Sequence, residues 1–440
     1  MISPPHHTTR TASRFFYGWY ITGMAFIANF MSVGTGFYVF NAFMQPLCEN
    51  HGWTRTDISL ALSAGAFMAI MGQLLYGTLL LRIGPRVLMT SGALVAGTIF
   101  MQLGKVHELW LFYLCYMLLL LGNGAYGGIV ANTVVNNWFI IKRGKAIGLA
   151  TAGMSFSGAV IPFIALLLIE RTGMQSAFFW LGLAVIMIAP LAFLIMRGRP
   201  EECGLTPDGI EISVAPPKTS LSLISAPGDG AAFLNDSSLQ TSAHIWTPGQ
   251  VLRIRAFWHL GFSYGLTMVG VVGVLSQLKP RFTDIGFGDH NAMLMLTLTT
   301  LLGALGKYVW GMFCDRYHPQ HVVAVLMLSG AVSLLFSFFE DSVPLLVFFV
   351  ITFGFSMGGV LSTFPIMIAS LFGRDSFASV GRILALFFLL QLLGYPIAGA
   401  SFDFTGSYRT AYVIFIILDF IAAAMIYFMK SPQPALNSKK

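Results

Sequence analysis

Twelve long apolar runs dominate the chain, and no water-soluble fold can bury that many. They lie at residues 19–43, 57–80, 86–105, 110–136, 145–169, 176–196, 255–278, 291–314, 321–339, 344–371, 379–402 and 410–429. Each is near the about 20 residues an α-helix needs to cross a bilayer. Barrel strands would instead alternate over about 10 residues. A helix also satisfies its own backbone hydrogen bonds in hydrocarbon, so unbroken runs are the expected solution. The first run exceeds the roughly 7–15 residue core of a signal peptide and is read as a span. Charged residues make up only 10% of the 440, against about 25% in soluble domains. That excludes a soluble enzyme and a disordered scaffold.

The net charge of +7 would suggest nucleic acid in a soluble protein. Here the bases sit between apolar runs, so the partner is the lipid bilayer and no nucleic acid is expected. Of the 25 Lys and Arg, 18 fall in the N-terminal tail, the even-numbered loops and the C-terminal tail. Six fall in the odd loops, and Lys307 lies inside a span. The positive-inside rule then places both termini in the cytoplasm. Cys48, Cys115, Cys203 and Cys314 are far apart, without disulfide or metal spacing, and the nine His lie mainly in loops and tails. No metal or cofactor is expected. No nucleophile–base constellation appears either, so an enzyme is not expected.

Residues 197–253 form the one long connection, rich in Pro, Ser and Gly. It divides an N-terminal six-helix bundle, 1–196, from a C-terminal one, 254–440. Most of it reads as a flexible linker. Its end, "TPGQVLRIRAFW", offers Thr247 as a cap, Pro248 at a first helical position, and Arg253 and Arg255 for headgroups. That pattern predicts an interfacial helix. The halves also look related. "GTLLLRIGPR" from Gly77 and "GMFCDRYHPQ" from Gly311 are offset by 234 residues, as are Arg82 and Arg316. Phe139 and Phe372, and Gly148 and Gly381, repeat at 233. Two related six-span halves are the signature of a secondary transporter with a midplane site. The expected fold class is therefore an all-α membrane protein with 12 transmembrane helices in two pseudo-symmetric six-helix bundles.

Lys307, in "LLGALGKYVWG", is the most informative residue. A lysine near mid-helix costs on the order of 2.5–3.5 kcal/mol to insert, and an intramembrane ionisable group marks a functional site. It sits roughly 7 residues, or about 10 Å, from the end of the eighth span, a long reach for snorkelling. Lys307 is thus a candidate anion ligand and a candidate proton-coupling group. Neutral polar residues at mid-span add to the candidate substrate site: Asn29, Asn123, Tyr126, Tyr264 and Gln391. Their hydroxyls and amides suit a substrate hydroxyl, keto oxygen or carboxylate, with helix–helix hydrogen bonding as the plainer alternative. Tyr126 and Tyr264 stand out, since an aromatic wall with a polar tip fits a small organic anion. Asp419 is the clear acid within a span, and Asp403 lies near a helix end at an interfacial position. Gly144, Gly148, Gly153 and Gly158 let helices approach closely.

The Gly-x-x-x-Asp-Arg pattern at Gly311, Asp315 and Arg316 resembles that of the major facilitator superfamily. In the first half Leu81 replaces the acid, although Gly77, Arg82, Gly84 and Arg86 remain. The resemblance covers essentially the whole chain. It implies that these loops make charge contacts that close one side, weakened in the first half so that the outward-open state is less favoured. Five stretches together resemble the monocarboxylate transporter branch, including bacterial oxalate/formate antiporter-like proteins. They are "YGWY" at 17–20, "NNWFIIKRGKAIGLATAGMSFSG" at 136–158, "RGRPEECGLTPDG" at 197–209, "SQLKPRFTDIGF" at 276–287 and "GSYRTAY" at 406–412. The basic turn Lys142–Arg143 belongs to this pattern and joins Gly77, Arg82, Arg86, Gly311, Asp315 and Arg316 as candidate gating residues. Such carriers place an Arg four residues before the motif glycine, where this chain has Lys307. An Asp or Asn one turn earlier is common, where this chain has Gly303. The cation is kept and its polar partner lost. In this fold the twelfth helix lies outside the cavity, which gives Asp419 a structural role.

The expected function is secondary transport of small monocarboxylates of the lactate or pyruvate type, by alternating access and with proton coupling. An exchanger for dicarboxylates such as oxalate is an alternative, but it should want a second cavity cation that the spans lack. A carrier of neutral or amphipathic solutes is another, and a membrane sensor would need a signalling domain the linker does not offer. A monomer in a prokaryotic inner membrane is expected.

Overall fold

The computed structural model describes residues 16–139, 142–209, 248–372 and 377–430. Among them eleven helices are long and apolar enough to cross a membrane. We label the spans α1 (Gly18–His51), α4 (Leu109–Trp138), α5 (Lys145–Thr172), α6 (Met174–Ile195), α7 (Arg255–Ser276), α8 (Asp289–Cys314), α9 (Pro319–Phe336), α10 (Val343–Phe372), α11 (Ala385–Thr405) and α12 (Arg409–Tyr427). The second and third predicted spans are two arms of one helical run, Arg55–Leu103, bent at Gly84. They are α2 (55–83) and α3 (85–103), so twelve spans result. The bend is chemically specified. Pro85 lacks an amide hydrogen and disfavours an α conformation in the residue before it, and Gly84 takes φ 76°, which costs glycine little. At the other end of α2, Thr54 and Asp57 form a reciprocal capping box.

The short loops send successive helices in opposite directions. One face of the molecule carries the start of α1, the Gly84 bend and residues 197–209 and 248–254. We call it the linker face. Tyr17 is tied there, its hydroxyl donating to Ile195 O at 2.8 Å. Arg55, the short helix Leu278–Asp284 and Gly406 lie on the opposite face.

Lipid offers no hydrophobic drive for helix association, so small residues must let helices pack closely. A Cβ on Gly153 of α5 would lie 2.3 Å from Phe26 O of α1. One on Gly358 of α10 would lie 2.0 Å from Gly303 O of α8. These crossings need glycine. Gly148 is different, since a Cβ there meets nothing within 4 Å, and the side of Gly144 lies outside the described residues. Between the first and second six spans, α5 pairs with α8 and α2 with α11. Thr297 Oγ1 donates to Ala159 O at 3.1 Å, and Ser63 Oγ to Leu392 O at 2.9 Å.

Three details differ from the sequence reading. The expected interfacial helix is a single turn, Pro248–Val251, with Val251 fully buried. Trp258 fixes the next turn by donating to Leu252 O at 2.9 Å; Val251 and Phe257 pack inward, while Leu252 and Trp258 stay exposed. Thr247 lies outside the described residues, as does 210–247 of the linker. Span α1 contains a π-helical turn at Gly34–Tyr38, and Ala385–Leu393 of α11 is wound as a 3-10 helix.

Candidate functional site

Lys307 reaches the seam between the two sets of spans. Its Nζ donates to Ser155 Oγ of α5 at 2.6 Å, and no ion pair among the described residues includes it. It lines a cavity of about 160 Å³ with Tyr38, Ser155, Met268, Thr300 and Gly303. Gly303 explains the absent acid. A Cβ there would meet Met357 Cε at 2.8 Å, and α10 passes against its carbonyl. The close α8–α10 crossing has replaced a polar partner for the lysine.

A second cavity, about 310 Å³, lies on the other side of α1. Its walls include Asn123, Gln73, Gln391 and Tyr395 among mostly apolar residues. Phe37 lines both cavities. Its ring is edge-on to Tyr38, at 5.0 Å between centroids, and to Tyr395, at 6.2 Å.

The sequence-selected residues therefore divide. Lys307, Asn123 and Gln391 line cavities at the seam, whereas Asn29, Tyr126 and Tyr264 line neither. Tyr126 is buried and donates to Asn123 Oδ1 at 2.9 Å, while Asn123 Nδ2 donates to Ser32 O at 3.1 Å. Tyr264 pairs with Thr363 Oγ1 at 2.9 Å. Asn29 donates to Ala150 O and Asn132 Oδ1 and accepts from Gly128 N at 2.8 Å, pinning a break in α4 where Gly128 takes φ 54°. For Asn29 and Tyr264 the plainer alternative, helix–helix bonding, is observed, while the Tyr126 bond lies within α4. Phe37, Tyr38 and Ser155 had no comparable signal. Their polar or aromatic identity is ordinary in a span, and only the glycines around the π turn hinted at looseness.

Beyond these cavities the seam is locked on the face opposite the linker. Arg55, at the start of α2, gives its Nη atoms to both oxygens of Asp284 at 2.5 and 2.8 Å. It also donates to the Tyr408 hydroxyl and lies 3.7 Å above the Phe402 ring. Asp403 of α11 accepts from the amides of Arg55 and Thr56 at 3.2 and 2.6 Å. A carboxylate at a helix N-terminus meets unsatisfied amides and the positive end of the dipole. Gln277 Nε2 donates to Ser59 Oγ at 2.9 Å. Farther round the seam His290 Nε2 lies 3.6 Å from Glu170 Oε2. Asp403 thus acts as a clamp between the halves rather than as an interfacial anchor. A recess of about 340 Å³ above the latch includes Arg281, Asp284, Glu340 and Arg409. Its lining comes entirely from the second half.

The linker face shows the reverse. A Cβ added at Gly77 or Gly311 meets nothing within 4 Å, and Arg82 and Arg316 are exposed. Arg86 stacks 5.3 Å from the Phe193 ring within its own half. The Lys142 amide donates to Asp208 Oδ1 at 3.2 Å. The side chains of Asp315 and Arg143 lie outside the described residues. Asp419 is 5% exposed, inside the second half, where a Cβ on Gly330 would be 3.3 Å from its Oδ2.

Two pseudo-equivalent sets of six spans with a charged site at the seam define the class, a membrane transporter. The family model for the Major Facilitator Superfamily matches residues 25–288 and 260–440. The chain belongs to that superfamily. It is 24% identical over 433 residues to human monocarboxylate transporter 2, covering 93% of this chain and 84% of the relative. It is 22% identical over 309 residues to the glycerol-3-phosphate transporter of Bacillus subtilis, covering 67% and 66%. Relatives named as monocarboxylate transporters support that branch of the superfamily. Among solved structures, a bacterial homologue of the human lysosomal transporter Spinster, inward-facing and unoccupied, gives a TM-score of 0.71. The identity is 15%, with 95% of this chain and 98% of that one covered, a likeness of fold.

Proposed function

We propose that the chain carries small monocarboxylates, of the lactate or pyruvate type, by alternating access with proton coupling. One observation carries this reading. The Lys307 ammonium sits in a cavity at the moving seam with a hydroxyl, Ser155, as partner and no carboxylate paired to it. A substrate carboxylate supplies the missing charge. The binding energy is then tied to both halves at once, because the lysine is on α8 and the serine on α5. Lysine acts as a point charge rather than a planar fork, which suits small acids of varied shape. Relatives named for monocarboxylates and for glycerol-3-phosphate share an anionic cargo, which also favours an anion site.

In this reading residues 1–196 and 254–440 rock as two bodies, and the linker 197–253 lets them. By the positive-inside rule the linker face is cytoplasmic, in a prokaryotic inner membrane, and the structure is inward-facing. Closing that face brings Gly77, Arg82 and Arg86 toward the second half and Gly311, Asp315 and Arg316 toward the first, with Lys142 and Arg143 at the neighbouring turn.

The test is counterflow of labelled lactate into proteoliposomes preloaded with unlabelled lactate. Counterflow needs binding and alternation but no ion gradient. The expected result is uptake by the intact protein and its loss in Lys307→Ala. Uptake that survives the substitution overturns the assignment of the site, and no uptake by folded protein overturns lactate as the cargo.

A further inference from the structure

The proposed lysine site accounts for only one of the two cavities on α1. The head compartment, about 160 Å³, holds roughly five waters at about 30 Å³ each. That already suffices for a three-carbon acid. The second compartment is about twice as large, and its chemistry is different. Its walls are mostly apolar, from Ala66, Ile70, Leu120 and Met154. Two amides without a side-chain hydrogen bond among the described residues line it, the half-buried Gln391 and, at its exposed rim, Gln73. An amide such as Gln391 on a mostly apolar wall is what a ligand pocket offers for orienting a tail.

Of the residues lining the two cavities, Phe37 alone is common to both. The π turn Gly34–Tyr38 widens α1 locally, and such turns gather at functional sites. It presents Phe37 to both cavities, with Tyr38 in the head compartment and Tyr395 in the second. Phe37 is only partly buried and meets each tyrosine edge-on. Edge-on pairs of this kind contribute about 0.5–1.5 kcal/mol each, so the Phe37 ring must give up these contacts for a chain to pass beside it.

We propose that the preferred substrate is a monocarboxylate longer than three carbons. Its carboxylate sits at Lys307, and its apolar tail passes Phe37 and ends in a polar group held by Gln391 and Gln73. This rests on the carboxylate reading of Lys307 and extends it to a substrate class.

The experiment compares counterflow of pyruvate, hexanoate and 5-carbamoylpentanoate, the last an open-chain acid with a terminal amide. The intact protein should show half-saturation for 5-carbamoylpentanoate roughly five- to tenfold below pyruvate, the worth of about one net hydrogen bond plus apolar contact. Gln391→Leu should bring that ratio toward one. It should improve hexanoate relative to 5-carbamoylpentanoate, an inversion that a merely structural role cannot produce. Phe37→Trp should raise half-saturation for both longer acids relative to pyruvate. Equal half-saturation for all three acids in the intact protein overturns the proposal, as does a Gln391→Leu effect that is uniform across them. Lys307→Ala separates the two layers. If it abolishes transport of every acid while length has no effect, only the tail assignment fails. If transport of all three survives it, the carboxylate reading itself fails.

Discussion

Lys307 and Asp419 are both ionisable groups inside spans, and their surroundings assign them opposite tasks. Lys307 faces a cavity on the seam and holds one partner from the other half. Asp419 is buried within the second half, its Oδ1 without a hydrogen-bond partner, beside Thr267, whose Oγ1 also meets no hydrogen-bond criterion. No ion pair among the described residues includes it. A buried charge without a partner is strongly destabilising, so the site is built for a neutral group of that shape. Asp419→Asn is therefore expected to keep counterflow within about twofold, since an uncharged amide replaces a group that pairs with no cation. Asp419→Asn that spares counterflow but abolishes uptake driven by a pH gradient would instead make it the proton carrier. Sequence made both residues visible, because a charge in an apolar run is conspicuous. It did not show which neutral polar residues line the path. Asn29 and Gln391 look alike in a span, yet one is saturated by three partners and the other faces a cavity.

At the scale of single helices the spans were legible and their irregularities were not. Apolar length marks a span whatever its neighbours are, and the Gly84–Pro85 bend is local chemistry that a sequence displays. The π turn in α1 and the 3-10 stretch in α11 leave no mark on apolar periodicity. The α8–α10 crossing offers a direct check. Gly358→Val places branched carbon where Gly303 O already lies 2.0 Å from a Cβ position. Overpacking of this kind costs about 1–3 kcal/mol or more, and here the obstacle is backbone, which cannot rotate away. Folded yield by size-exclusion chromatography in detergent is expected to fall severalfold. Gly311→Ala, where a Cβ meets open space, should leave folded yield unchanged and slow transport only through closure of the linker face. Equal yields for Gly358→Val and the intact protein would mean that the two helices do not cross as described.

For the whole molecule, alternation requires that the latch on the closed face be strong enough to hold and weak enough to release. Arg55 and Asp284 come from different halves and are 11% and 26% exposed, a partly buried pair with bidentate geometry. The stacked Phe402 ring adds about 0.5–2 kcal/mol. Asp403 grips the backbone of the same turn, so losing the Arg55 side chain removes part of the latch and leaves a second hold. A shift of about 1–3 kcal/mol toward opening, roughly 5–150-fold in population, is the expected scale. The sequence lists Arg55 as one of a few bases in odd loops, and nothing local connects it to an acid 229 residues away. The measurement is labelling of a single cysteine at Val272, in the wall of the head compartment, with an impermeant maleimide from the face opposite the linker. Cys48, Cys115, Cys203 and Cys314 are first replaced. Arg55→Ala and Asp284→Asn should each speed labelling, and the double variant should add little to either, because both remove one interaction. The exchanged pair, Arg55→Asp with Asp284→Arg, should slow labelling again. Additive acceleration in the double variant, or none in the singles, would show that the closed face is held by Asp403 and the packing of α2 on α11, with the ion pair as a bystander.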